Sequence, residues 1–199
     1  MNTITTTLTT EAVFSEDGIK RYLLQKVWDD SKPKLAIIML APAKASGIEL
    51  DTTTQLVLNN ADRLGYGSVA VVNLFATLND FALKEAETED ADNLKAIVQA
   101  AQAADLVIYA PGVGKAKNKA FQTRQEQVLK ALCPYEEKLH CLCSVNGGGR
   151  LQHPLSPVVR VWALSPLKIE ELLPEPTKAE SNPKPIKERK PQVRVVKKT

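Results

Sequence analysis

Cysteine and histidine are scarce in this chain, which has three Cys and two His in 199 residues. A structural zinc site wants four such ligands at short spacing, and this supply is too thin for one, so no metal is expected. Cys133, Cys141 and Cys143 are an odd number, and Cys141 and Cys143 alternate onto one face of an expected strand. Buried, reduced thiols are the ordinary reading of that pattern. No apolar run approaches the ~20 residues that a membrane span requires. The opening MNTITTTLTTEAVF has neither the basic nor the apolar region of a secretory signal. A cytoplasmic protein without a membrane partner is therefore expected. The phosphate-cradling pattern GxxxxGK[ST] is absent, and GVGK at residues 112–115 does not replace it, so no cofactor is implied.

What is present divides into a nearly neutral body and a basic tail. Of 26 Lys and Arg and 23 Asp and Glu, residues 174–199 hold eight basic and three acidic, leaving 18 and 20 in residues 1–173. The tail has five prolines and few large apolar side chains, a composition that buries too little surface to offset ordering and predicts disorder. Transient contact with a polyanion and simple solubilisation both suit it. With 44% hydrophobic residues the chain can bury one sizeable core. The expected organisation is an N-terminal extension over 1–13, one α/β domain over 14–173, and the tail over 174–199.

The body alternates strand-like and helix-like segments. Residues 35–40, LAIIML, are apolar throughout and fit a strand buried on both faces, stopped by Ala41-Pro42. Residues 21–29, RYLLQKVWD, have strand character and are expected antiparallel to it or adjacent to it. Asp51 is the expected N-cap of a helix over 52–64, with Gly65 just beyond its end. Further strands are expected over 69–75, 106–110 and 139–144, with helices over 92–104 and 119–132 between them. About four mostly parallel strands with helices on both faces, plus an antiparallel N-terminal strand, make a three-layer α/β sandwich. The loops that follow the strands, at 41–46, 73–80, 111–119 and 146–156, then meet along one edge, where open α/β sheets place their ligands.

The segments FSEDGIKRYLLQKVW, IIMLAPAKASGIELDTTT, GYGSVAVVNLFATLND and GGGRLQHPLSP carry a resemblance in this order. Together they resemble the bacterial DUF1643 family, whose pattern has an early Arg-Tyr, a Leu-Asn-Pro-Ser-Thr-Ala loop, Asp-x-Thr, Val-Asn-Leu-Phe and His-Pro-Leu. Asp51, Thr53, Asn73, His153 and Pro154 keep that pattern, whereas Ala41-Pro42-Ala43-Lys44 stands where the family has Asn-Pro-Ser-Thr. The central loop is thus stripped of an amide and two hydroxyls. More distantly, VVNLF and HPLSP are similar in order and spacing to motifs of the uracil-DNA glycosylase superfamily. That likeness implies a glycosylase-like fold, a loop around Pro42 after the first strand, an asparagine that reads a base, and a histidine loop.

His153 and Asn73 are the candidate catalytic residues, the first to stabilise an oxyanion and the second to hydrogen-bond a base edge. Pro42, Lys44, Asp51, Thr53, Gly112, Lys115 and Arg150 are the candidate ligand contacts, although a run of lysines is usually a solvated face and Asp51 and Thr53 fit helix capping equally well. With no carboxylate or amide in the central loop to hold a water, the expectation is a nucleic-acid or nucleotide-binding protein of glycosylase-like fold with weak or lost catalysis. Two alternatives stay open. One is a hydrolase acting on a nucleobase or nucleotide glycosidic bond, and the other is a non-enzymatic interaction module of phage or mobile-element origin.

Overall fold

In a computed structural model the described residues are 1–43, 47–78, 83–145 and 150–173. Seven strands form one mixed sheet: β1 (Thr9–Phe14), β2 (Arg21–Val27), β3 (Lys34–Met39), β4 (Ser68–Asn73), β5 (Leu106–Tyr109), β6 (Leu139–Cys143) and β7 (Ala163–Pro166). Their order across the sheet is β1-β2-β4-β3-β5-β6-β7. The middle four are parallel; β2 pairs antiparallel with β4, β1 antiparallel with β2, and β7 antiparallel with β6.

The four expected parallel strands are present, and three strands joined through antiparallel pairings extend them. β1 lies partly inside the segment expected to be an extension, and β7 had no sequence signal strong enough to mark it. The expected pairing of residues 21–29 with the opening strand is corrected: β2 pairs with β4. The reason is topological. Strand β3 is flanked by parallel partners on both sides, β4 and β5, and so has no edge left to offer. The tail over 174–199 lies outside the described residues, and so does the glycine run at 146–149.

Alternation along β3 divides the core into two layers. Leu35, Ile37 and Met39 pack with Val57 and Ala61 of helix α1 (Thr52–Arg63) and with Val159 and Trp162. Ala36 and Ile38 face the opposite way, toward Ile97 and Ala101 of α2 (Ala91–Ala103) and Val128 and Leu129 of α3 (Lys119–Leu132). Each helix opens on an Asx cap: Asp51 accepts from the Thr54 N–H, Asp90 from Asn93 and Asn118 from Phe121. No helix among the described residues is long and apolar enough to cross a membrane.

This wiring produces a crevice. The chain leaving β3 turns to α1 on one face, while the chain leaving the adjacent β5 turns to α3 on the other. Neighbouring parallel strands whose connections diverge leave a gap outside their carboxyl ends, the topological switch point of an open α/β sheet.

Candidate functional site

The crevice is occupied from one side by the loop after β6. Leu40, Ala41, Pro111, Gly112, Lys115 and His153 line a cleft of about 460 Å³, within the range of small-molecule sites. Gly112 sits at φ +81, and a Cβ built there would come 3.2 Å from the Cβ of His153. Only glycine suits both demands. Two groups on α1, the buried Asn60 and the exposed Arg63, hold the end of this loop just before β7. Asn60 donates to the Arg160 carbonyl at 3.1 Å and accepts from the Trp162 N–H at 3.0 Å, and Arg63 donates to the Trp162 carbonyl at 3.0 Å.

His153 is half-buried, and its Nδ1 accepts the Leu155 N–H at 3.2 Å. That bond assigns the proton of the neutral ring to Nε2, which is left as a donor. Burial pushes the imidazole below its ordinary value, and the Asp51 carboxylate opposes that shift without cancelling it. His153 is therefore neutral at pH 7.

Asn73 closes β4, opposite Met39 in the register with β3. It follows Val69 and Val71 at period two, so its side chain falls on the α1 face. It is 1% exposed, and neither its Oδ1 nor its Nδ2 has a hydrogen-bond partner among the described residues. Leaving both ends of a buried amide unpaired costs about 1–3 kcal/mol for each group. Its backbone is well supported: Asn93 donates to the carbonyls of Asn73 and Leu74, and the buried Arg124 donates to Leu74, Thr88 and Asp90 carbonyls. The strand end is held firmly while the carboxamide itself is left unused.

Arg21 completes the arrangement. A bulge at Tyr22 shifts the β1–β2 register, with Val13 opposite Leu23 but Phe14 opposite Arg21. Tyr22 and Leu23 both line a cavity on the α2 side, and Arg21 is turned to the α1 side. Its guanidinium is 3% exposed and donates to the Ala43 carbonyl at 3.5 Å. Burial lowers its pKa and Asp51 works against that, as it does at His153. Asp51 thus caps α1 and acts electrostatically on both basic groups of the edge. Nearby, the buried Lys26 donates to the Gly47 carbonyl at 2.7 Å and to Thr10 Oγ1 at 2.9 Å, tying the far end of the central loop to the sheet.

The candidate residues therefore separate. Gly112, Lys115 and His153 line one cleft, and Asp51 acts on His153 from the start of α1; Asn73 ends β4 at the same edge of the sheet, two strand spacings from β5, roughly 10 Å, and does not line that cleft. Pro42 belongs to the loop above them. Thr53 lies in the first turn of α1 behind the Asp51 cap. Arg150 does not join: it pairs with Glu171 at 2.7 Å and donates to the Pro166 carbonyl at 3.0 Å. Lys44 lies outside the described residues. Arg21 was missed, although a lone arginine opening an apolar strand, and its place in the family's Arg-Tyr, were both visible. No group of three or more His, Cys, Asp or Glu placed to hold a metal occurs among the described residues.

A mixed, open α/β sheet with a largely apolar cleft at the carboxyl ends of its parallel strands defines the fold class. Comparison then supplies the particular family. The family described as "Protein of unknown function (DUF1643)" matches residues 21–155, and the chain belongs to it. No curated protein and no solved structure matches the chain.

Proposed function

We infer that this edge binds a nucleobase, as part of a nucleotide or of nucleic acid, in a glycosylase-like arrangement whose catalysis is weak or lost. The observation that carries the reading is the Asn73 carboxamide, fully buried at a strand end with donor and acceptor both unused. A carboxamide so placed complements an edge that offers one acceptor beside one donor, as the amide-like edges of nucleobases do. The neutral His153, with Nε2–H as donor, suits an oxygen on the ligand. Arg21 and Lys115 bring positive charge to the same edge, which favours a phosphate.

Catalysis is the weaker part. Cleavage of a glycosidic bond by water needs a group to hold that water, and Ala41 and Ala43 offer none beyond the backbone. Asp51 is the carboxylate that acts on His153, and one of its oxygens is engaged by the Thr54 N–H at 2.7 Å. The hydrolase reading survives only through Asp51 and His153.

Calorimetric titration with the common nucleobases, nucleosides and nucleoside monophosphates tests binding. Saturable binding to some of them, lost in Asn73→Leu, is expected. Absence of binding to every member at millimolar concentration would remove the reading. Incubation with the ligands that bind, followed by chromatography of free base, tests turnover: little or none is expected, and release abolished by His153→Ala would replace the binding reading with the hydrolase one.

A further inference from the structure

The cavity that Tyr22 and Leu23 line lies under α2, on the face of the sheet away from α1. Ala96, Ala100 and Ala103 follow one another at i, i+4 and i+7 and so share one side of α2. They stand over Ala70 of β4, Leu23 of β2 and Val13 of β1, and these side chains leave a cleft of about 260 Å³. Helix α2 packs chiefly on β2, β3 and β4, and Val13 stays 40% exposed, so the cleft opens toward β1.

A polar pair closes one end of it. Alternation along β3 and β4 places Lys34 and Ser68 on the α2 face with Ala36 and Ala70, and the two are direct partners in the β3–β4 register. Both line the cleft. Ser68 is 5% exposed, and none of the hydrogen bonds among the described residues uses its hydroxyl. Packing beside Ala70 needs no hydroxyl, and a buried one without a partner is unfavourable.

The charges around the cleft differ along its length. Lys34 stands at the Ser68 end, where Lys138 donates to the Gln102 and Ala104 carbonyls at 3.4 and 2.8 Å and offsets the negative end of the α2 dipole. The Asp105 carboxylate is engaged there by the Lys34 N–H at 2.7 Å. Glu11, opposite Gln25, flanks the middle. At the Tyr22 end Lys20 is paired with Asp90 at 2.7 Å, and burial, with Asp90 next, keeps the Tyr22 phenol protonated. An anion is therefore favoured at Lys34 and Ser68. From there, at the level of Val27, to Leu23 is four residues of strand, roughly 13 Å.

We propose that this slot binds a medium-chain fatty acid, its carboxylate on Ser68 and Lys34 and its acyl chain along the alanines of α2. The proposal is independent of the nucleobase reading, because the slot ends at the amino ends of β3 and β4 and lies on the opposite face of the sheet.

Calorimetric titration of the full chain with hexanoate, octanoate, decanoate and dodecanoate, each below its micellar concentration, tests it. Every methylene buried along the alanines should tighten binding about fourfold until the slot is full, after which the gain should stop. Ser68→Ala should weaken octanoate binding at least tenfold, through loss of a hydrogen bond to a charged group. Lys34→Gln should weaken it about two- to fivefold, the reach of an exposed charge, and leave octanol binding unchanged. Ala96→Leu narrows the slot and should abolish binding of both, while Ser68→Ala and Lys34→Gln keep the test readable if that variant fails to fold. Absence of saturable octanoate and decanoate binding at millimolar concentration would overturn the proposal. So would binding indifferent to Ser68→Ala and Ala96→Leu, which would put the acyl chain elsewhere, and so would equal affinity for octanol and octanoate. Nucleotide binding at the carboxyl edge should be the same in every folded variant, so the two readings fail separately.

Discussion

Replacing Asn73 with leucine should make the free protein more stable and its edge useless. The carboxamide is 1% exposed with both polar ends unpaired among the described residues, and each such end costs about 1–3 kcal/mol. Leucine is close to asparagine in shape, though larger, and carries neither polar group; the change of shape offsets up to about 1.5 kcal/mol. On these figures the expected net gain is about 0.5 kcal/mol or more, and for a chain of this size the midpoint should rise about 2–4 °C per kcal/mol. Asn93 supplies the control of opposite sign. It is also fully buried, and its Oδ1 has no partner among the described residues, but its Nδ2 donates to the Asn73 and Leu74 carbonyls at 3.1 and 3.0 Å. Asn93→Leu leaves the Asn73 carbonyl short of a donor while it removes the unpaired Oδ1, so it should cost about 1 kcal/mol rather than stabilise. Denaturant melts of the three proteins, repeated with a nucleotide that binds the unaltered one, read both effects. At a hundredfold excess over Kd the ligand stabilises the native state by about 2.7 kcal/mol, and that increment should vanish in Asn73→Leu. If Asn73→Leu proves as destabilising as Asn93→Leu, the Asn73 amide is part of the fold's own support and the reasoning that makes it a ligand contact fails.

Three further outcomes are expected from the same geometry. Gly112→Ala adds a Cβ 3.2 Å from that of His153 at φ +81, so it should cost about 1–2 kcal/mol in backbone strain and weaken nucleotide binding at least tenfold through displacement of His153; melts and calorimetry together check it. Gly67→Ala is a purely structural test: its Cβ would overlap the Asp29 carbonyl oxygen, where the Trp28 and Asp29 N–H groups reach the Gly67 carbonyl, and a loss of at least about 3 kcal/mol is expected from denaturant melts. Because burial lowers the His153 pKa, the unfolded chain takes up a proton at higher pH than the folded one; this contribution is complete above about 6.5, where unfolded histidine titrates, and is lost as pH falls toward the lower folded value. Stability measured in steps from pH 7.5 to about 5 should fall through that window, and His153→Ala should remove part of the slope.

The amino-acid sequence by itself determined the periodic parts of this protein. Residues 35–40 and 69–73 are largely apolar without alternation, which suits a strand covered on both faces, and Asp51, Asp90 and Asn118 stand where helices begin. Asn73 and His153 were legible as candidates through the resemblance that VVNLF and HPLSP carry. Local spacing could not tell which strand meets which. The pairing of β2 with β4, the weak strand β7 and the turning of Arg21 onto the α1 face at the Tyr22 bulge all depend on partners far away in sequence. The same is true of Gly112 against His153. Periodicity reports how a residue sits on its own element, whereas the unpaired amide, the neutral imidazole and the buried guanidinium owe their state to what other elements do or do not bring to them.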